Sequence, residues 1–305
     1  MTSPSIVSIH LRLLGMAALW GGAWPLGRLT GQYMQPLTAS GLRFVIAGAV
    51  LLVWLYRYNR FRTVRVLNKR QWLNLTLASA TGVLGYASFF MLALQFVPAG
   101  KASIIVTLNP AVTLLMAAVV FHERLNGKIA LGMLLAAVGA ALAITDGRPL
   151  SFIHDGVNAG GFLLLGCVAC WVAYTLIGRA VLTGIDALTT TTVTSVLGAG
   201  MLVTTSLLAE GPATWAALPD APASAWISLL VLAFASTALA YAWYFDGVKA
   251  IGAGAASGYI TLVPVFGLFF SGVLLGERLG ISLLFGGLIA VTGMALMHFG
   301  RQTRP

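Results

Sequence analysis

The chain has 305 residues, of which 59% are hydrophobic and only 9% are charged, and its formal net charge is +10. Because soluble domains carry about 25% charged residues, this composition excludes a water-soluble globular protein and predicts a membrane protein. The positive charge is not spread along the chain and no nucleic-acid-binding motif is present, so we expect no nucleic acid among the partners.

Ten segments are long and apolar enough to cross a bilayer, which takes about 20 residues in a helix. We name them spans one to ten, and they lie near residues 11–31, 36–56, 72–95, 101–121, 127–145, 158–178, 187–209, 224–247, 253–276 and 281–299. The predicted fold class is therefore an all-α polytopic membrane protein. Cys167 and Cys170 lie inside span six, which favours packing over a redox or metal site, so we predict no metal and no cofactor.

Part of the sequence occurs twice, with an offset of 154 residues. The duplicated positions are Pro110 and Pro264, Glu123-Arg124-Leu125 and Glu277-Arg278-Leu279, Gly132 and Gly286, and Gly139 and Gly293. This predicts two five-helix repeats, residues 1–147 and 148–305, within one membrane domain. Since five is odd, the second repeat is inverted relative to the first, a plan typical of secondary transporters.

The orientation follows from the Lys and Arg residues, which favour cytoplasmic loops. Of the 18 Lys and Arg residues, 13 fall on the side of the N-terminus, four on the other side, and Arg43 lies within span two. We therefore predict that both termini are cytoplasmic.

Several fragments resemble the EamA-type branch of the drug/metabolite transporter superfamily. They are Trp20-Gly21-Gly22, the segment 36–44 with Arg43, and the duplicated Pro, Glu-Arg-Leu and Gly signature. The resemblance covers nearly the whole chain and implies a ten-helix carrier of small metabolites in a bacterial inner membrane. Among members, the chain looks most like bacterial amino-acid exporters, including those for aromatic amino acids. It departs from the pattern in the second half, where threonines at 189–194 stand in the region corresponding to Arg43.

Aromatic residues recur at helical spacing on spans one, three, six and eight, so that each group shares a helix face. The candidate substrate-binding residues are Trp20, Trp24, Tyr86, Phe90, Trp171, Tyr174, Tyr241 and Tyr244, with Phe89 as an alternative partner of Tyr86. We expect these faces to line a central cavity that holds an apolar or aromatic side chain. The alternative is that they pack between helices or sit at the membrane interface.

Other candidates are prolines and polar residues. Pro110 and Pro264 each remove a backbone hydrogen bond near residue i−4, and they are either hinges or static kinks. Asn109 lies deep in span four and hydrogen-bonds either the substrate or a neighbouring helix. The remaining charged candidates are Arg43, Glu123, Arg124, Glu277 and Arg278. We interpret the two Glu-Arg pairs as ion pairs that fix loops, with gating as the alternative. Arg43 either snorkels or attracts a substrate carboxylate.

The predicted function is export or facilitated passage of amino acids and related small metabolites, by alternating access around the central cavity. No Asp or Glu lies near the middle of a span, which argues against the main alternative, a proton-coupled multidrug exporter. We predict that the protein is not an enzyme, with an intramembrane serine hydrolase using Ser257 and His298 as a remote alternative. We expect its partners to be the lipid bilayer and a small-molecule substrate, with no obligatory protein partner evident.

Overall fold

The structure is a computed structural model that describes residues 6–58, 60–122, 125–148, 158–181 and 185–302. Within these ranges, nine helical stretches are long and apolar enough to cross a membrane. A shorter apolar helix, Gly127–Ala143, lies where span five was predicted. The protein is thus a polytopic helical membrane protein.

The helices fall into continuous and interrupted spans. The continuous ones are Ile6–Gly31 (span one), Pro36–Arg57 (two), Gly127–Ile144 (five), Ala159–Val181 (six), Ala187–Ala209 (seven) and Ile281–Gln302 (ten). Span three consists of Lys69–Ala78, a π-helix Ser79–Gly85 and Tyr86–Phe96, and span four of Ala99–Ile105 and Leu108–Phe121. Span eight consists of Ala223–Val231, a π-helix Leu232–Leu239 and Ala240–Gly258, and span nine of a 3-10 helix Tyr259–Leu262 and Val263–Leu275. Short connecting helices are Phe61–Arg65, Pro212–Ala216 and Leu218–Asp220.

One helix is longer than predicted. Ala240–Gly258 runs past residue 247, where we expected span eight to end. The equivalent connection in the first half contains Pro98, which begins a new helix at Ala99. Gly252 stands at that position in the second half, and it still provides the backbone N–H that proline lacks.

The chain forms two compact units, each built from segments of both sequence halves. The first unit comprises Met1–Pro25, Phe96–Leu164 and Leu239–Pro305, and the second comprises Leu26–Gln95 and Leu165–Ala238. A compact unit is therefore not the same set of residues as a predicted repeat, and the division into repeats at residue 147 remains a prediction.

In the first unit, spans five and ten pack through the duplicated glycines. A Cβ added to Gly139 would lie 2.4 Å from the Ala290 nitrogen and 2.5 Å from the Gly286 oxygen. A Cβ on Gly132 would lie 2.7 Å from the Gly293 oxygen. The two helices therefore meet backbone to backbone, which is how helices associate closely in lipid.

In the second unit, span two packs against span seven, and the threonines of 189–194 are buried there. Their hydroxyls bond back along the helix, as Thr192 donates to the Leu188 carbonyl at 2.8 Å and Thr194 to the Thr190 carbonyl at 2.9 Å. These internal bonds satisfy the hydroxyl groups without water, which makes a threonine-rich helix tolerable inside a membrane.

Two ion pairs in the first unit join ends of different spans. Lys101 at the start of span four lies 2.6 Å from Asp146 at the end of span five, and Arg12 near the start of span one lies 2.6 Å from Asp246 in span eight. Asp146 is within reach of Lys101 because the two helix ends are adjacent. Each pair joins ends that the predicted ten-span topology puts on the same side of the membrane.

In the second unit a carboxylate joins the end of span seven to the start of span two. The two oxygens of Glu210, just after span seven, accept hydrogen bonds from the backbone N–H groups of Leu37 and Thr38, both at 2.8 Å. The Thr38 hydroxyl donates to the same carboxylate at 2.7 Å. Helix N-termini offer unpaired N–H groups and a positive dipole end, so this arrangement satisfies both partners.

Candidate functional site

Three of the predicted aromatic residues meet in the first unit. The ring centres of Trp20 and Tyr241 are 5.3 Å apart at an angle of 65°, and those of Trp20 and Tyr244 are 5.7 Å apart at 45°. All three side chains are half-buried. Span one thus presents its tryptophan to two tyrosines that lie three residues apart on span eight.

Four of the predicted aromatic residues form a row in the second unit. The ring centres of Phe90 and Tyr86 are 6.3 Å apart and stacked, those of Tyr86 and Trp171 are 5.4 Å apart, and those of Trp171 and Tyr174 are 5.9 Å apart. The partner of Tyr86 is Phe90 rather than Phe89. Gly82 makes room for this row, since a Cβ there would lie 2.3 Å from the Tyr174 ring.

The two clusters draw on corresponding pairs of spans. Spans one and eight build the first cluster, and spans six and three build the second. Span six is the repeat partner of span one, and span three is the repeat partner of span eight. The offset of 154 residues relates Trp20 to Tyr174 and Phe90 to Tyr244. Spacing along the chain predicted which face of each span is aromatic, and the structure adds which spans meet.

A π-helical segment precedes the aromatic residues in both spans three and eight. The segments are Ser79–Gly85 and Leu232–Leu239, and the repeat offset maps the first almost onto the second. Widening the helix leaves carbonyls without their usual i+4 partners, and the Thr237 hydroxyl donates to the Leu232 carbonyl, five residues back, at 2.9 Å. Such segments are frequent at functional sites. The sequence analysis missed both; the hydroxyl residues just before each aromatic face were the only signal.

Spans four and nine are interrupted just before Pro110 and Pro264. The helix of span four stops at Ile105 and resumes at Leu108, and span nine begins with the 3-10 helix Tyr259–Leu262. Each interruption includes residue i−4 relative to its proline, where the missing N–H had predicted a freed carbonyl. In span four the Val106 carbonyl accepts the Asn109 N–H at 2.9 Å instead.

Two side-chain oxygens at the interruption of span four are buried and have no hydrogen-bond partner among the described residues. They are the hydroxyl oxygen of Thr107, which is 1% exposed, and the side-chain oxygen of Asn109, which is 6% exposed. Since buried polar atoms are nearly always paired, with protein or with ordered water, these two oxygens are candidate hydrogen-bond acceptors for substrate or water.

Comparison with known proteins identifies the family of the chain. The sequence profile of the EamA-like transporter family matches residues 7–145 and 158–299. The chain belongs to the EamA-like transporter family. The two matched segments lie one in each half and leave only the termini and a short central stretch outside.

Relatives of this EamA-like transporter match along nearly their whole length. The probable amino-acid metabolite efflux pump of Escherichia coli (strain K12) is 26% identical, over 95% of this chain and 94% of its own. The uncharacterized transporter YyaM of Bacillus subtilis (strain 168) is also 26% identical, over 94% of this chain and 92% of its own. A crystal structure of a protein 18% identical covers 99% of this chain and 100% of that chain with a TM-score of 0.64, which shows a shared fold.

The other aromatic and charged candidates, apart from Arg43, are Trp24 and the two Glu-Arg pairs. Trp24 is buried in the first unit. Glu123 and Arg124 lie outside the described residues. Glu277 was predicted to form an ion pair. In the structure its carboxylate accepts hydrogen bonds from the backbone N–H groups that begin span four, at Ala99 (2.8 Å) and Gly100 (2.9 Å). Arg278 is exposed. Two adjacent N–H groups at a helix start match a carboxylate better than one mobile surface arginine does.

Arg43 points toward the aromatic row of the second unit. Its Nε donates to the Thr237 hydroxyl oxygen at 3.1 Å, and its guanidinium carbon lies 5.3 Å from the ring centre of Phe44 and 5.8 Å from that of Phe90. The sequence analysis had left it open whether this side chain snorkels. In the structure it lies between rings and a buried hydroxyl of span eight.

Proposed function

We propose that this EamA-like transporter exports amino acids and related small metabolites, including aromatic ones, across the inner membrane of a bacterium. The observation that carries the proposal is the pair of aromatic clusters on repeat-related spans. It is supported by end-to-end similarity to proteins named probable amino-acid metabolite efflux pumps. Each cluster offers large apolar rings together with tyrosine hydroxyl or tryptophan N–H groups, which suits an amino-acid side chain.

The mechanism we propose is alternating access between two inverted five-span repeats, with both termini in the cytoplasm. The ion pairs of Lys101 with Asp146 and of Arg12 with Asp246 support the order in which the spans cross the membrane, since each joins ends predicted on the same side. The cytoplasmic location of the termini rests on the excess of Lys and Arg on that side. The interruptions before Pro110 and Pro264 are the proposed hinges. Short non-helical stretches inside a span absorb changes in backbone angles more readily than intact helix does.

The test is counterflow in liposomes. Purified protein is reconstituted into vesicles loaded with unlabelled phenylalanine, and uptake of labelled phenylalanine is followed without an ion gradient. Trp171→Ala and Tyr241→Ala each remove one ring of one cluster, and we expect each to raise the half-saturating concentration about tenfold, the equivalent of ~1.4 kcal/mol of binding. Trp72→Ala is the matched control, because Trp72 is an exposed tryptophan outside both clusters.

Two results would count against the proposal. If folded wild-type protein exchanges no amino acid, the substrate class is wrong, and proton-gradient-driven export of cationic drugs becomes the next candidate. If exchange occurs but Trp171→Ala and Tyr241→Ala behave like Trp72→Ala, the clusters serve packing only. Ser257→Ala tests the remote hydrolase alternative, because a nucleophile is indispensable to a hydrolase whereas a carrier retains exchange without it.

A further inference from the structure

We infer that Arg43 binds the carboxylate of the substrate while the neighbouring aromatic row of Phe90, Tyr86 and Trp171 holds its side chain. The inference rests on the proposed function and deepens it, since it restricts the preferred substrates to small carboxylates that carry an apolar or aromatic group. Arg43 is thereby a specificity-determining residue of the second unit.

Arg43 lies deep in its span. It is the eighth residue of the helix that begins at Pro36, so at 1.5 Å per residue its Cα lies about 10 Å along the axis from the first residue. The hydrocarbon core is about 30 Å thick, which puts the backbone of Arg43 well inside it. A cation at such a depth is costly for the membrane protein and by default has a function there.

The side chain of Arg43 is held in place from outside its own helix. Thr237 is 2% exposed, and its hydroxyl oxygen accepts from Arg43 Nε while its proton goes to the Leu232 carbonyl in the π-helix of span eight. This chain of two bonds fixes the direction of the guanidinium. A snorkelling arginine, by contrast, follows the head groups and has no need of a buried partner on another span.

Aromatic rings lie beside the charge of Arg43. Phe90 lies under the guanidinium, with Tyr86 stacked on Phe90 and Trp171 next in the row. A cation at one end of a row of rings complements an amino acid, whose carboxylate and side chain are only a few bonds apart. Arginine suits the carboxylate, because its planar fork of N–H donors binds both oxygens and stays charged at every physiological pH.

Only one of the two halves carries an arginine at this place in its second span. Span seven, the repeat partner of span two, contains no Lys or Arg between residues 188 and 209 and packs threonines at the start of that stretch. One carboxylate-binding residue in two related halves defines one substrate orientation. It also explains why the second repeat departs from the first at this place.

The experiment compares an acid with its uncharged analogue. Inhibition of phenylalanine counterflow is measured for unlabelled phenylalanine and for phenylalaninamide, in which an amide replaces the carboxylate. For wild-type protein we expect the acid to inhibit at a concentration about tenfold to a hundredfold lower than the amide does, the range expected for a charge-assisted bidentate contact. In Arg43→Gln this ratio should fall to near one, and in Arg43→Lys, which keeps the charge without the fork, it should lie between.

Two further variants separate recognition from folding. Thr237→Val leaves the charge of Arg43 intact but removes the bond that directs it, so the ratio should fall although the protein stays folded. Arg28→Gln is the matched control, because Arg28 is a part-buried arginine of the same unit that donates to the Leu94 carbonyl at 3.2 Å, and its ratio should stay at the wild-type value. If Arg43→Gln does not fold, Arg43→Lys and Thr237→Val decide the question.

The outcomes also separate this inference from the proposed function. If wild-type protein exchanges amino acids but the Arg43 and Thr237 variants keep the wild-type acid-to-amide ratio, the inference is overturned and the function stands. If wild-type protein exchanges no amino acid at all, both are overturned. A fall in the ratio for Arg28→Gln as large as that for Arg43→Gln would also refute the assignment, since any cation of the unit would then serve.

Discussion

The backbone contact between spans five and ten makes Gly139 the most informative position for a stability test. In Gly139→Ala the new Cβ would lie 2.4 Å from the Ala290 nitrogen, whereas ordinary contacts begin near 3.4 Å, so the helices must part by about 1 Å. A gap of 0.5–1 Å already forfeits roughly a quarter to a half of each dispersion contact along an interface. Overpacking of this kind costs about 1–3 kcal/mol.

An opposing effect has to be subtracted. Alanine is a better helix former than glycine by about 0.8–1 kcal/mol, so the expected net loss of stability for Gly139→Ala is up to about 2 kcal/mol. At roughly 2–4 °C per kcal/mol for a larger domain, the transition temperature should fall by up to about 8 °C. The buried thiol of Cys167 provides the assay, since a thiol-reactive dye in detergent reports when unfolding exposes it.

Gly200→Ala is the matched control for this measurement. Gly200 is also a helical glycine, but a Cβ there meets nothing within 4 Å, so only the gain in helix propensity applies. We expect its transition temperature to be unchanged or slightly raised. If Gly139→Ala behaves like Gly200→Ala, the close backbone contact between spans five and ten is wrong, because no other term in the argument distinguishes the two glycines.

Two other substitutions test polar groups. Glu210→Ala leaves the N–H groups of Leu37 and Thr38 without their acceptor and should lower stability by about 1–2 kcal/mol in the same assay, whereas the exposed Asp220→Ala should change little; equal effects would refute the tie between spans two and seven. Asn109→Ala removes a buried oxygen that has no partner, so the transition temperature should hold or rise while phenylalanine counterflow slows; a large loss of stability would instead assign Asn109 to packing.

The sequence predicted best those features whose cause lies in single residues. Gly139 and Gly286 were located by the repeat, and their lack of a side chain is what lets spans five and ten meet backbone to backbone. Pro110 and Pro264 lack an N–H, which located the interruptions of spans four and nine to within a turn. The aromatic faces followed from helical spacing alone.

Features that depend on neighbouring spans could not be predicted in this way. Spacing does not say that Trp171 meets Tyr86, because that contact requires the relative rotation of two helices. The π-helix before Tyr241 reflects hydrogen bonds shifted by one residue, which helix propensity does not encode. Glu277 was expected to pair with the arginine next to it in the sequence. Its actual partner is a helix start far away in the sequence, which no local pattern indicates.

The segment composition of the two units has a consequence for how the protein is made. Every residue of the second unit has been synthesised by Ala238, so its spans can associate while the rest of the chain is still emerging. The first unit begins with span one, but the glycine contact between spans five and ten can form only after Ile281–Gln302 has been synthesised. Span five must therefore remain in the bilayer without this partner until span ten has been synthesised.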